Sequence, residues 1–227
     1  MTRVYAVVEG DSEEAFLTRV VQPHLAAHSV WLHPMKVLRG KTRGGGRSWQ
    51  PWQRHLNRLL AEHRGLDVRV TTMLDLYAIP NDCPGWTTPG SAPGAQRADA
   101  IIDAMRASTA DDRDRLLPYV QVHEFEAFLF VDLSVIERQS PDLVDRVLFA
   151  EMAKQTSAKK PEDINDSAQS APSKRIEDCT LGFRKSIHGV QAIEAIGLNR
   201  LRQECPRFDT WVAWLEQLRE TTASVCE

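Results

Sequence analysis

The chain has 227 residues, 42% of them hydrophobic, and a formal net charge of -3. That length and composition allow a real core, in one α/β domain with an added subdomain or in two small domains. No run of eighteen or more apolar residues is present, which excludes a membrane-spanning helix, and the strand-like start without a charged leader points to a cytoplasmic protein without a signal peptide.

The first element, Val4-Tyr5-Ala6-Val7-Val8, is an apolar, partly β-branched run that ends on Glu9 and Gly10. Ser12, Glu13 and Glu14 then open an apolar-periodic segment, which reads as strand, tight turn and helix. Ser12 fits an N-cap, and Glu13 and Glu14 would face the positive end of the helix dipole without any catalytic role. Glu9 has no such explanation. It stands at the carboxyl end of a first strand, where open α/β sheets place their ligands.

Glu13 to about Ala27 carries Phe16, Val20, Val21 and Leu25 on one side, as an amphipathic helix does, and Val30 to Leu38 alternates as a second strand. The loop Arg39-Gly40-Lys41-Thr42-Arg43-Gly44-Gly45-Gly46-Arg47 follows. From Ala15 to Ala61 there is no Asp or Glu, while Arg19, Lys36, Arg39, Lys41, Arg43, Arg47, Arg54 and Arg58 all fall there. Such a basic span on a mildly acidic chain points to a local site for a polyanion, with Arg39, Lys41, Arg43, Arg47 and Arg54 as nucleic-acid contacts. A solvated linker explains the loop equally well. Gly40-Lys41-Thr42 is not a P-loop, because position 35 is Met35 and the glycines follow the lysine. Trp49 and Trp52 are available for base stacking and are as readily core anchors.

Trp49 to Arg64 has helical spacing through Trp52, Leu56, Leu59 and Leu60. Val68 to Leu76 is a third strand, and its Asp75 repeats the placement of Glu9. Tyr77 to Gly94, rich in Pro and Gly, reads as a long irregular loop of the kind that forms lids or is disordered. A helix from Ala95 to about Ala107 follows, with Ala98, Ile101, Ile102 and Met105 as its apolar face. A fourth strand from Leu116 to about Val122 leads into His123, Glu124 and Glu126. Strands alternating with helices imply a mostly parallel sheet, so the acids can converge at one edge. Beyond Asp132 the chain turns to helical segments, with a polar connector near 157–173 and apolar residues from Leu198 to Leu218 that pack helices on one another. The expected division is an α/β part over 1–132 and a helical part over 133–227 packed against it. Cys83, Cys179, Cys205 and Cys226 are scattered without zinc-ligand spacing and read as reduced.

Glu9, Glu13, Asp75, Glu124 and Glu126 supply hard oxygen ligands of the kind that suits Mg²⁺ or Mn²⁺. Two such ions about 4 Å apart stabilise the attacking and leaving oxygens of a phosphoryl transfer. His123-Glu124 is not a zinc-protease motif, because the second histidine it requires falls on Ala127. His123 reads as an orienting group or as a hydrogen-bonded strand-end residue. Lys174, Arg175, Arg184 and Lys185, with His188, are candidate cations for a developing phosphorane charge or simply a solvated face, and residue order alone does not choose among them. The catalytic candidates are Glu9, Asp75, Glu126 and Lys185.

Val7 to Phe16, the strand ending at Asp75 and Gln121-Val122-His123-Glu124-Phe125-Glu126-Ala127 together resemble the Toprim-like family called domain of unknown function 4276. Glu162 to Asn165, Ala171 to Arg175, Ile196-Gly197-Leu198 and Cys205 to Trp211 extend the resemblance over nearly the whole chain. It implies a Toprim-like sheet of about four mostly parallel strands flanked by helices, with a helical C-terminal portion. It also implies a relationship to nucleases of the overcoming-lysogenization-defect group, with Glu9 as the strand-end glutamate, Glu13 as the acid one helical turn on and Asp75 as the first acid of an Asp-x-Asp pair. Tyr77 stands at the second position of that pair, so Glu124 or Glu126 becomes the replacement ligand. The implied activity is metal-dependent cleavage of DNA or RNA, as in bacterial defence, beside a separately encoded ATPase. A catalytically silent interaction subunit and hydrolysis of a small nucleotide are the alternatives.

Overall fold

The computed structural model describes residues 1–37, 48–65, 67–109, 115–164 and 170–218. Its centre is a parallel sheet of β1 (Thr2–Val8), β2 (Val30–Lys36), β3 (Val68–Asp75), β4 (Leu116–Leu117) and β5 (Val120–Gln121). The order is β2-β1-β3-β4, with β5 also pairing with β3 beyond β4. β1 is central: Thr2 to Val8 run alongside Val30 to Lys36 on one flank, and Arg3 to Val8 alongside Val68 to Met73 on the other.

A parallel sheet buries both faces, and the pleat sends alternate side chains of β1 to each. Val4, Ala6 and Val8 pack with Phe16, Leu17, Val21, Leu25, Phe125, Phe128, Phe208 and Trp211. Val7, Val70 and Leu74 pack on the other face with Leu56, Leu59, Ile101 and Met105. Leu56 and Leu59 come from α3 (Gln50–Glu62) and Ile101 and Met105 from α4 (Gly94–Ser108), where helical spacing aligns each pair into a buried stripe on its own helix.

The first helical stretch departs from the expected continuous α-helix. It is α1 (Asp11–Phe16), a π-helical turn over Leu17–Val21, and α2 (Gln22–Ala27). Ser12 is not the cap. Gly10 holds the N-cap position in extended backbone, and Glu13 Oε2 reaches back to accept its N–H at 3.0 Å.

The expected fourth strand is also broken. Pro118 has no N–H to donate, and threonine hydroxyls bridge the gap: Thr71 Oγ1 donates to Leu117 O at 2.6 Å, while Thr72 Oγ1 accepts from Tyr119 N–H at 3.0 Å. At the opposite edge, β2 contains Pro34, and the Leu32 N–H donates to the Gln22 side-chain Oε1 at 2.5 Å.

The loop from Tyr77 to Pro93 is a series of turns with Ile79 and Cys83 in the core, and Asp82 accepts from Trp49 N–H at 2.7 Å. Trp49 and Trp52 are both buried, their rings stacked 6.3 Å apart, so they are core residues and not a platform for bases.

The C-terminal half adds a 3-10 turn at Phe125–Val131, α5 (Ser134–Gln139), α6 (Arg146–Thr156) and α7 (Pro172–Asp178). It continues with a π turn at Lys185–Gly189, α8 (Val190–Ile196), α9 (Leu198–Glu204) and α10 (Pro206–Gln217). In the connector near 157–173, a 3-10 turn at Pro161–Asp163 carries buried Glu162, which accepts from Arg207 and Phe208 N–H at 3.2 Å each; residues 165–169 lie outside the described ones. Trp211 Nε1 donates to Thr71 Oγ1 at 2.9 Å, tying α10 directly to β3. Cys83, Cys179 and Cys205 are buried free thiols. Among the described residues no helix is long and apolar enough to cross a membrane.

Candidate functional site

All strands run the same way, so β1, β3 and β5 deliver the residues that follow them to one edge of the sheet. Glu9 follows β1, Asp75 ends β3, and β5 leads through His123 to Glu124. His123 sits at φ 70°, a left-handed backbone that turns the chain sharply out of the strand. Its carbonyl accepts the Tyr77 N–H at 3.2 Å, joining the segments that leave β3 and β5. Glu9, Asp75, Tyr77, Ala78, Glu124, Ala171 and Lys185 line a cleft of about 430 Å³ there.

Asp75 is partly exposed as a residue, but its Oδ1 is sealed from solvent and has no hydrogen-bond partner. Burial, then the charges of Glu13, Glu9 and Glu126, push its carboxyl well above the ordinary range, and the hydrogen bond from the Phe125 N–H only partly opposes them. Burial also raises Glu13, against the backbone N–H groups it accepts from and the positive charge of Lys185. Glu126, 5% exposed, is raised by burial first and by Glu124, while Lys185 acts against this. Lys185 Nζ lies 3.4 Å from Glu126 Oε1.

Glu124 is already engaged: its Oε2 accepts the Ser173 N–H at 3.0 Å, in the first turn of α7. Glu14 and Asp11 pair with Lys36 at 2.9 and 2.7 Å and belong to the helix start. Among the other basic candidates, Lys174 pairs with Glu177, Arg175 Nε donates to Ser170 O at 2.7 Å, and His188 Nδ1 accepts the Arg184 N–H at 3.0 Å. Arg54 is exposed on α3, and Arg39, Lys41, Arg43 and Arg47 lie outside the described residues.

Ala78 and Ala171 are cleft residues that strand-end reasoning passes over. Ala171 is signalled only by Pro172, since proline favours the first position of a helix and therefore marks where α7 starts.

The cleft is rich in hard oxygen donors whose mutual repulsion is incompletely neutralised. No three of its acids bring ligand oxygens within 4.8 Å of one another among the described residues. The fold and site together define a parallel α/β protein with an acidic, lysine-bearing cleft at the carboxyl edge of its sheet. The chain belongs to the family described as a domain of unknown function (DUF4276), matched over residues 8–216. Searches among curated proteins and among solved structures return no match.

Proposed function

We propose that this chain is a Mg²⁺- or Mn²⁺-dependent nuclease of Toprim-like character that hydrolyses phosphodiester bonds in DNA or RNA. The observation that carries the reading is the sealed, partnerless Oδ1 of Asp75 among Glu9, Glu13 and Glu126, all acids whose charges raise its carboxyl. A buried carboxylate oxygen without a donor is costly, so the group either keeps a proton, as the raised Asp75 carboxyl does in the metal-free chain, or is met by something positive that displaces it. The donor set fits a hard divalent ion, and Mg²⁺ in particular is held by one or two carboxylates, waters and substrate phosphate, so a closed three-acid cage is not required.

Asp75 and Glu9 are the ligands on this reading, with Glu126 or Glu124 completing the set. Glu13, fixed by the Gly10 N–H, supports them from one helical turn away. The bound ion supplies Lewis acidity to a phosphoryl oxygen and lowers the pKa of water. Lys185, 42% exposed beside Glu126, would on this reading meet the negative charge that develops on phosphorus. Arg39, Lys41, Arg43, Arg47 and Arg54 are the proposed backbone contacts. The setting is cytoplasmic, as effector of a defence system beside a separately encoded ATPase.

The test is cleavage of DNA and RNA by the purified chain with Mn²⁺, set against Glu9→Gln. Loss of cleavage in the variant is expected, and equal cleavage by both proteins sinks the assignment.

A second reading is a catalytically silent subunit that binds nucleic acid or a partner. Tyr77 in the cleft, where the resemblance expects an acid, favours it. Calorimetry separates the two: Mg²⁺ or Mn²⁺ binding that disappears in Asp75→Asn counts against silence.

A further inference from the structure

His24 lies in α2, His28 at its C-terminal cap one turn later, and both approach Glu216 in the last turn of α10. His24 Nε2 lies 2.5 Å from Glu216 Oε1, and His28 Nε2 lies 3.8 Å from the same oxygen. One ligand atom from each residue falls within 4.8 Å of the others, the one such trio of His, Cys, Asp or Glu among the described residues. Their side chains are 29%, 39% and 18% exposed in that order, so an ion has access from solvent.

We propose that His24, His28 and Glu216 form a binding site for a borderline transition-metal cation of the Zn²⁺, Co²⁺ or Ni²⁺ class. Imidazole nitrogen favours these ions, whereas the all-oxygen cleft favours Mg²⁺ or Mn²⁺. Residues four apart on a helix share a face, which lets both imidazoles reach one ion. Ligand atoms about 2 Å from a tetrahedral ion stand about 3.3 Å apart. The His28 separation is close to that, and His24 has to withdraw by about 0.8 Å.

Arg202 is the competing cation. Its Nη1 and Nη2 donate to Glu216 Oε1 and Oε2 at 2.5 and 3.2 Å, and Nη1 lies 3.4 Å from His24 Nε2. Its Nε also donates to Asp209 Oδ1 at 2.5 Å, so Asp209 retains the guanidinium when Glu216 turns an oxygen to the ion. A bound ion would link segments 192 residues apart, joining α2 to the last helix.

The test is Zn²⁺ titration by calorimetry and Co²⁺ absorption spectroscopy on the full chain without a histidine tag. The histidine site is expected to contribute one saturable Zn²⁺ equivalent in the micromolar range, about tenfold or more weaker in His28→Ala and lost in His24→Ala/His28→Ala, whatever the acidic cleft binds besides. Arg202→Ala, which removes the competitor, should bind at least as tightly as the parent chain, and Glu9→Gln should bind unchanged. Circular dichroism of each metal-free variant guards against misfolding, with His28→Ala the mildest change. Absence of saturable Zn²⁺ binding below about 1 mM, or undiminished binding in the folded double-histidine variant, overturns the proposal. Because Glu9 belongs to the acidic cleft and not to the histidine trio, persistence of this equivalent in Glu9→Gln makes the outcome independent of nuclease activity.

Discussion

Lys185 Nζ stands 3.4 Å from Glu126 Oε1, the lysine side chain 42% exposed and the glutamate side chain only 6%. The ammonium is the nearer to water, so removing it strands a buried carboxyl. Lys185→Met is expected to destabilise the chain at neutral pH, and adding Glu126→Gln should restore most of the loss. Solvent screening at the lysine limits the coupling to about 1 kcal/mol. Urea melts of both single variants and the double variant measure it, and additive effects would mean that the pair is not coupled.

Asp75, Glu13 and Glu126 are all raised above their ordinary values of 3.8, 4.5 and 4.5, with burial the leading cause for each. A raised acid binds more protons folded than unfolded. Its favourable contribution is therefore complete below the unfolded value and is lost as pH rises through the folded one. The metal-free chain should show this loss from about pH 4 upward. Asp75→Asn removes part of the dependence, so its Tm should exceed that of the parent near pH 8 by roughly 2–4 °C for each kcal/mol gained. Thermal melts in a chelator across this range decide the matter; a variant that melts lower than the parent at every pH contradicts the account.

Gly85 and Gly90 share the left-handed backbone, at φ 75° and 83°, but not the same surroundings. A Cβ on Gly85 would lie 2.3 Å from the Ala100 carbonyl oxygen in α4, whereas one on Gly90 meets nothing within 4 Å. Gly90→Ala should cost about 1–2 kcal/mol, the backbone penalty alone. Gly85→Ala adds a clash with helix backbone worth about 1–3 kcal/mol more. Denaturant midpoints of the two variants compare them directly.

Trp211 Nε1 donates to Thr71 Oγ1 at 2.9 Å, and its ring stacks on Tyr119 at 4.9 Å. Trp211→Phe should lose about 1 kcal/mol or somewhat more, since Thr71 keeps its bond to Leu117 O. Phe208→Ala, amid Phe16, Tyr119 and Phe128, should lose about 3–5 kcal/mol. A fragment ending at residue 132 would lose Phe208, Trp211 and the other C-terminal members of the cluster that Val4, Ala6 and Val8 belong to, and should give the poorly dispersed amide spectrum of a chain without fixed packing.

Much of the sheet is legible in the sequence because the β-branched runs at Val4 and Val68 and the helical spacing at Trp52 state their own periods. The common edge for Glu9, Asp75 and Glu124 follows from parallel strands. What periodicity does not disclose is an added residue in a helix, as in the π turn at Leu17–Val21, or hydroxyls standing in for a missing backbone donor, as Thr71 and Thr72 do beside Pro118. The capping of α7 by Glu124 spans 49 residues, and no local pattern encodes it. Nor does the apposition of Lys185 to Glu126 follow from order, since several cations in that region are equally spaced candidates until the chain folds. Trp49 and Trp52 fit either fate by sequence; only burial places them in the core.

The outer flank of β2 has a bearing on colloidal behaviour. An open strand with a regular row of amide donors is a template on which another copy can add, and growth of that kind leads to fibrils. Here Pro34 has no hydrogen to offer and Gln22 occupies the one on Leu32, so two successive outward positions of the row are closed. Trp31, 43% exposed on that strand, is consequently an apolar side chain beside an edge that a second molecule finds hard to extend.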